Sequence, residues 1–261
     1  MINAFAKSRR AAWLGGALLG AAAGAATWFW AGTGQNTFTH LLLTALAAFV
    51  GVNIALYLAR MIATREYQSR LLLLYEQLDP KAFLAAAEPL KNAPMNAGPR
   101  STLLVHLANG WLYAGQPDRA LEILNEIPTG PKTPETKGLV LGNQATCWLA
   151  QGNPDKAQSC MDELRRLVDS GACGKDFSAK ARHTLAYLEL CLAIHRGKRV
   201  NLQAMEKDFE TSRSPFHKLD VQYRLALAAR RCGDAERCAR AQEYVSNFGQ
   251  KTAYPVLLNE K

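Results

Sequence analysis

The stretch Gly171-Ala172-Cys173-Gly174-Lys175-Asp176 is the nearest this chain comes to a reactive loop. A phosphate loop needs glycines at fixed spacing, a lysine, a Ser or Thr after it, and a strand before it. Here the first glycine is misplaced, Asp176 stands where the hydroxyl belongs, and no strand-like run precedes it, so the stretch reads as an interhelical loop. His183 and His195 are too far apart to hold a metal on one helical face. Asp162 and Glu163 are neighbours on a helix and point different ways, so they cannot act as paired carboxylates. No Gly-x-Ser-x-Gly elbow and no His-Glu-x-x-His occurs. The reading is therefore a non-enzyme with no metal and no cofactor.

Cysteine and charge narrow the class further. None of the six cysteines pairs at Cys-x-x-Cys spacing, so zinc and redox motifs are missing, and reduced thiols are expected. The net charge is +9, but beyond residue 60 there are 27 Lys and Arg against 22 Asp and Glu. That balance is too weak for a nucleic-acid surface.

The elements that would carry any function fall into two parts. Residues 11–31 and 39–59 are uncharged and apolar, each about 21 residues, or roughly 30 Å as helix. They predict a two-helix transmembrane hairpin, an anchor over residues 1–62. Lys7, Arg9 and Arg10 precede it, and Arg60, Arg65 and Arg70 follow. The positive-inside rule then expects a multi-pass cell-membrane protein with both termini cytoplasmic. A cleaved signal peptide over residues 1–25 is the competing reading. Gly16, Gly20 and Gly24 make one small-residue stripe, and Ala47, Gly51 and Ala55 a second. Such stripes let two helices approach closely. They predict packing within the hairpin, with pairing to a second copy as the alternative. Asn53 is expected to hydrogen bond to the first helix.

From Glu66 onward, apolar-periodic helices alternate with Pro/Gly breaks. The clearest unit is Ser101 to Pro128, with Leu104, Leu107-Ala108, Trp111, Gly115, Ala120, Leu124 and Pro128 in order. A second copy has Leu141, Ala145, Trp148, Gly152, Ala157, Met161 and Leu164, its Trp, Gly and Ala each 37 residues on. This pattern resembles the tetratricopeptide repeat family. The resemblance implies an all-α fold: a TPR-like α-solenoid over residues 63–250, of about five helix pairs. The third pair falls out of register near Lys198. Residues 251–261 read as a frayed C-terminal tail.

The resemblance also implies a partner. Members of the family line a concave groove with the first helix of each pair and grip a peptide or protein there. Those that clamp a terminal carboxylate use Asn and Lys. Asn109 and Asn143 match two clamp asparagines and Lys180 a clamp lysine. Val105 and Thr184 stand where a lysine and an arginine would complete it. His106 joins Asn109, Asn143 and Lys180 as a groove residue. The expected function is a membrane-anchored scaffold for protein interaction. The alternative is an accessory or sensor subunit that contacts partners through the hairpin.

Overall fold

A computed structural model describes the backbone of residues 2–30, 37–93, 95–130 and 133–259. It describes their side chains apart from those of 2–13, 30, 37, 40, 58–60 and 62–64. Lys7, Arg9, Arg10 and Arg60, which set the expected orientation, therefore lie outside the described side chains. The fold is all-α, with no strand among the described residues. Two compact units form, Met1–Ser69 and Arg70–Lys261.

The first unit holds α1 (Ile2–Trp30) and most of α2 (Thr37–Tyr75). The glycine stripe makes the contact between them. A Cβ on Gly16 would stand 3.0 Å from the Ala55 Cβ, and one on Gly20 3.0 Å from the Ala48 carbonyl oxygen. One on Gly24 would meet the Thr44 methyl at 3.2 Å. The numbering runs down one helix and up the other, so the pair is antiparallel. Opposite the glycines stand Thr44, Ala48, Gly51, Val52 and Ala55, whereas Ala47 lines a neighbouring apolar groove. Asn53 does not cross to α1; its amide donates to its own Phe49 carbonyl at 2.8 Å.

The expected membrane spans are corrected here. Among the described residues, no helix is long and apolar enough to cross a membrane. In α1 the apolar run is diluted by glycine and alanine, which lowers its mean hydropathy. The two-span, multi-pass localisation with cytoplasmic termini falls with this finding.

The second unit is built from α3 (Pro80–Ala87), α4 (Ala97–Tyr113), α5 (Pro117–Asn125), α6 (Pro134–Ala150), α7 (Pro154–Asp169), α8 (Lys175–His195), α9 (Leu202–Thr211), α10 (Pro215–Cys232), α11 (Ala235–Phe248) and α12 (Tyr254–Asn259). The local sequence sets these boundaries. Asp79, Asn153, Asn201, Ser214 and Asp234 each accept a hydrogen bond from the backbone N–H three residues on. Such caps satisfy donors that a helix leaves open. Proline opens α3, α5, α6, α7 and α10, where its missing N–H costs nothing.

The repeat has a register that recurs in contacts. Gly115, Gly152, Gly197 and Gly233 all turn the chain with φ between 69° and 81°. In that region a side chain is strained and glycine is not. Arg119 lies over Trp111 at 4.7 Å, and Lys156 over Trp148 at 4.2 Å. Gln151, just before Gly152, donates to Asp118, three residues after Gly115. Arg196, just before Gly197, donates to Asp155, three residues after Gly152. The same stitch thus joins the first pair to the second and the second to the third.

The third pair departs from the pattern in its packing. α8 packs on α6 and α7, but α9 packs mainly on α10. Ala120, Ala145 and Ala157 are fully buried where paired helices cross. Residues 219–229 of α10 are buried without a break, so this helix is enclosed on all sides by its neighbours. Paired helices stacked in chain order in this way are consistent with a helical solenoid.

Candidate functional site

The four groove residues expected from the sequence do not form one clamp. Asn109 and His106, both on α4, turn to Tyr75 at the end of α2. The Asn109 amide donates to the Tyr75 hydroxyl at 3.0 Å. That leaves the phenolic proton for His106 Nδ1, 2.7 Å away. Burial pushes the Tyr75 hydroxyl up to about 12, so it stays a donor at neutral pH. The Asn109 amide is thereby spent on a structural brace. Asn143 donates to its own Leu139 carbonyl at 2.8 Å. Lys180 is exposed and lines an open cleft of about 470 Å³ with Glu135, Gly174, Lys175, Asp176 and Phe177. Glu135 accepts from the Gly174 amide at 3.2 Å, so a carboxylate already caps α8 in the phosphate-loop look-alike.

The brace makes a testable pH response. Burial holds His106 below the ordinary imidazole value. A group depressed in the folded state binds fewer protons there than in the unfolded chain. Its stabilising effect is therefore present above the unfolded value, about 6.5, and is lost as pH falls through the folded one. Protonation also removes the acceptor that Tyr75 uses. His106→Gln should flatten the fall in melting temperature between pH 7 and pH 5 relative to wild type. Identical profiles would remove His106 as the cause.

A second polar centre lies deeper, on α10. Asp220 and Arg224 are four residues apart, and their residues are 9% and 4% exposed. Arg224 Nε sits 3.7 Å from Asp220 Oδ1, too long for a hydrogen bond, and Nε has no other hydrogen-bond partner. Arg224 Nη1 approaches His195 Nε2 at 3.4 Å. Asp220 accepts from two phenols: Tyr187 of α8 on Oδ2 and Tyr254 of α12 on Oδ1. Burial, then the Asp220 charge, pushes both hydroxyls well above the ordinary tyrosine value, which keeps them donors. Sequence reading missed this centre. The signal was present: an Asp and an Arg at i and i+4 inside the apolar run Leu219 to Ala229.

Tyr254 belongs to the segment read from sequence as a frayed tail. It is instead helix α12, folded back onto α4 and α10. The Tyr254 ring stacks on Tyr223 with centroids 4.5 Å apart. Ala253 N donates to the Tyr113 carbonyl at 2.9 Å, and Arg230 Nη2 to the Leu258 carbonyl at 3.0 Å. Lys251 reaches Asp79 at 2.7 Å. A Cβ on Gly115 would come within 2.9 Å of the Ala253 Cβ, so this turn also leaves room for the returning chain.

Other candidate chemistry is spent on structure. Asp162 pairs with Arg165, and Glu163 with Lys137. All six cysteines are free thiols. Burial pushes Cys147 up to about 12 and Cys191 to about 11, which makes them poor nucleophiles. No group of three or more His, Cys, Asp or Glu that could hold a metal occurs among the described residues. The chain matches no protein-family model, no curated protein and no solved structure.

Proposed function

We propose that the chain is a non-enzymatic, TPR-like α-solenoid scaffold that binds a protein or peptide partner. The observation that carries this reading is the recurring stitch between pairs, Gln151 to Asp118 and Arg196 to Asp155. A single helix pair cannot bury its apolar face, so a repeated join of this kind belongs to a stack, and stacks of this kind present extended binding surfaces. The cleft at Lys180 offers both charge signs on exposed side chains, with Phe177 as an apolar floor. That mixture suits a peptide better than a small apolar ligand.

A photo-crosslinking residue at Thr184, one turn from Lys180, tests this. It should capture a protein partner, while the same residue at Arg166, exposed on α7, should not. Equal labelling from both positions would remove the groove reading.

One observation favours a second reading, contact through the hairpin. Leu18, Phe29, Leu42, Leu46 and Phe49 of α1 and α2 are all more than half exposed. Apolar patches of this extent usually mark interaction surfaces. As an accessory or sensor subunit, the chain would lose its partners on Leu46→Glu and keep them on Lys180→Glu.

A further inference from the structure

The C-terminal segment occupies a seat that other parts of the chain build. Its walls are Tyr113 of α4, Tyr187 of α8, and Asp220, Tyr223 and Arg224 of α10. These residues come from three different helices. Into this seat the segment places Tyr254, 8% exposed, and Leu258, 3% exposed, one helical turn apart. The backbone takes part at both ends: the Ala253 N–H donates to Tyr113, and the Leu258 carbonyl accepts from Arg230.

The seat and its occupant are unequal in their own stability. α12 has six residues, far below the length at which an isolated helix holds together in water. It is ordered by what it touches. The seat lies on three helices of seventeen residues or more, each packed elsewhere. Asp220 also accepts from Tyr187 and lies beside Arg224, neither of which belongs to α12. Arg224 Nε is buried and lacks a hydrogen-bond partner even with α12 in place. The polar centre is therefore not built to suit α12 alone.

We propose that this seat is a peptide-recognition site and that α12 is its resident competitor. The partner it fits is a segment presenting a tyrosine, then a leucine-like residue four positions on, with a free backbone N–H just before the tyrosine. The phenol is read by Asp220 and by stacking on Tyr223, and the leucine by the apolar floor. Partner binding requires α12 to leave, so access is set by how often it does. The inference rests on the scaffold reading and names the chemistry of its partner.

The probe is a labelled synthetic peptide of residues 250–259, Gln-Lys-Thr-Ala-Tyr-Pro-Val-Leu-Leu-Asn, added to the full chain. Leu258→Asp loosens the resident segment without altering the seat. Anisotropy should show the peptide binding the variant at least tenfold more tightly than wild type, since the apparent affinity scales with the open fraction. A peptide carrying Tyr254→Phe should bind the variant about tenfold more weakly than the parent peptide. Binding to neither protein, or equally to both, overturns the proposal. Hydrogen exchange on wild type guards against a variant that merely unfolds. The Ala253 amide should exchange well before those of α10; exchange at the α10 rate shows α12 to be a fixed part of the core and overturns the proposal. Crosslinking from Thr184 separates the two readings, because a captured partner with no peptide binding sinks only this one.

Discussion

Asp220→Ala should cost the Arg70–Lys261 unit about 3–5 kcal/mol, the range seen when one partner of a buried ion pair is removed. Arg224 would then be a guanidinium 4% exposed with no carboxylate beside it. Tyr187 and Tyr254 would each lose the acceptor of a buried hydroxyl. For a unit of this size the melting temperature should drop by about 6–20 °C. The decisive comparison removes the whole centre. Combining Asp220→Leu and Arg224→Met with Tyr187→Phe and Tyr254→Phe should recover most of the loss, because both buried charges and both buried hydroxyls are gone. Urea midpoints for both proteins decide it. A single substitution costing less than about 1 kcal/mol would mean that water reaches Arg224 and that the centre is not sealed.

How much of this was legible depends on whether a feature is local. The helix pairs were, because Trp111, Gly115 and Ala120 recur at Trp148, Gly152 and Ala157, and each does a local task. The glycine turns need positive φ, the prolines open helices, and the alanines sit at crossings. In the third pair the turn at Gly197 keeps the repeat, and it is the second helix, α9, that leaves it for α10. The hairpin shows the same limit. Gly16, Gly20 and Gly24 face α2 along one stripe, and of the row expected opposite them Gly51 and Ala55 meet it, while Ala48 takes the place expected of Ala47.

What failed was what only long-range packing decides. Asp220 and Arg224, at i and i+4, give α10 the look of a helix with a polar face. What buries Asp220 includes Tyr187, 33 residues upstream, and Tyr254, 34 residues downstream. The apolar patch Tyr254 to Leu258 is the one sign of the docked helix in residues 249–261, and six residues carry too little periodicity to be read as a helix. Asn109 matched a family clamp position by spacing alone. Its amide is claimed by Tyr75, a residue of a helix that the pattern does not include.

Ala120→Trp and Ala157→Trp should destabilise the unit by similar amounts, at or beyond the upper end of the 1–3 kcal/mol typical of overpacked cores. Both alanines are 0% exposed, and an indole at either would have to push a paired helix away. Glu122→Trp is the control. It lies on α5 and is exposed, and a surface change there should stay within about 0.5 kcal/mol. Urea unfolding of the three proteins gives the comparison. A large cost at Ala120 alone would show only that the core is tight. The equality of the two costs is the sharper test, because Ala120 and Ala157 share no contact surface by sequence neighbourhood, standing 37 residues apart. They are equivalent only if α4–α5 and α6–α7 are two copies of one unit. A bundle without that repeat has no reason to charge the same for both, so costs differing by more than about 2 kcal/mol would sink the solenoid reading along with the partner surface inferred from it.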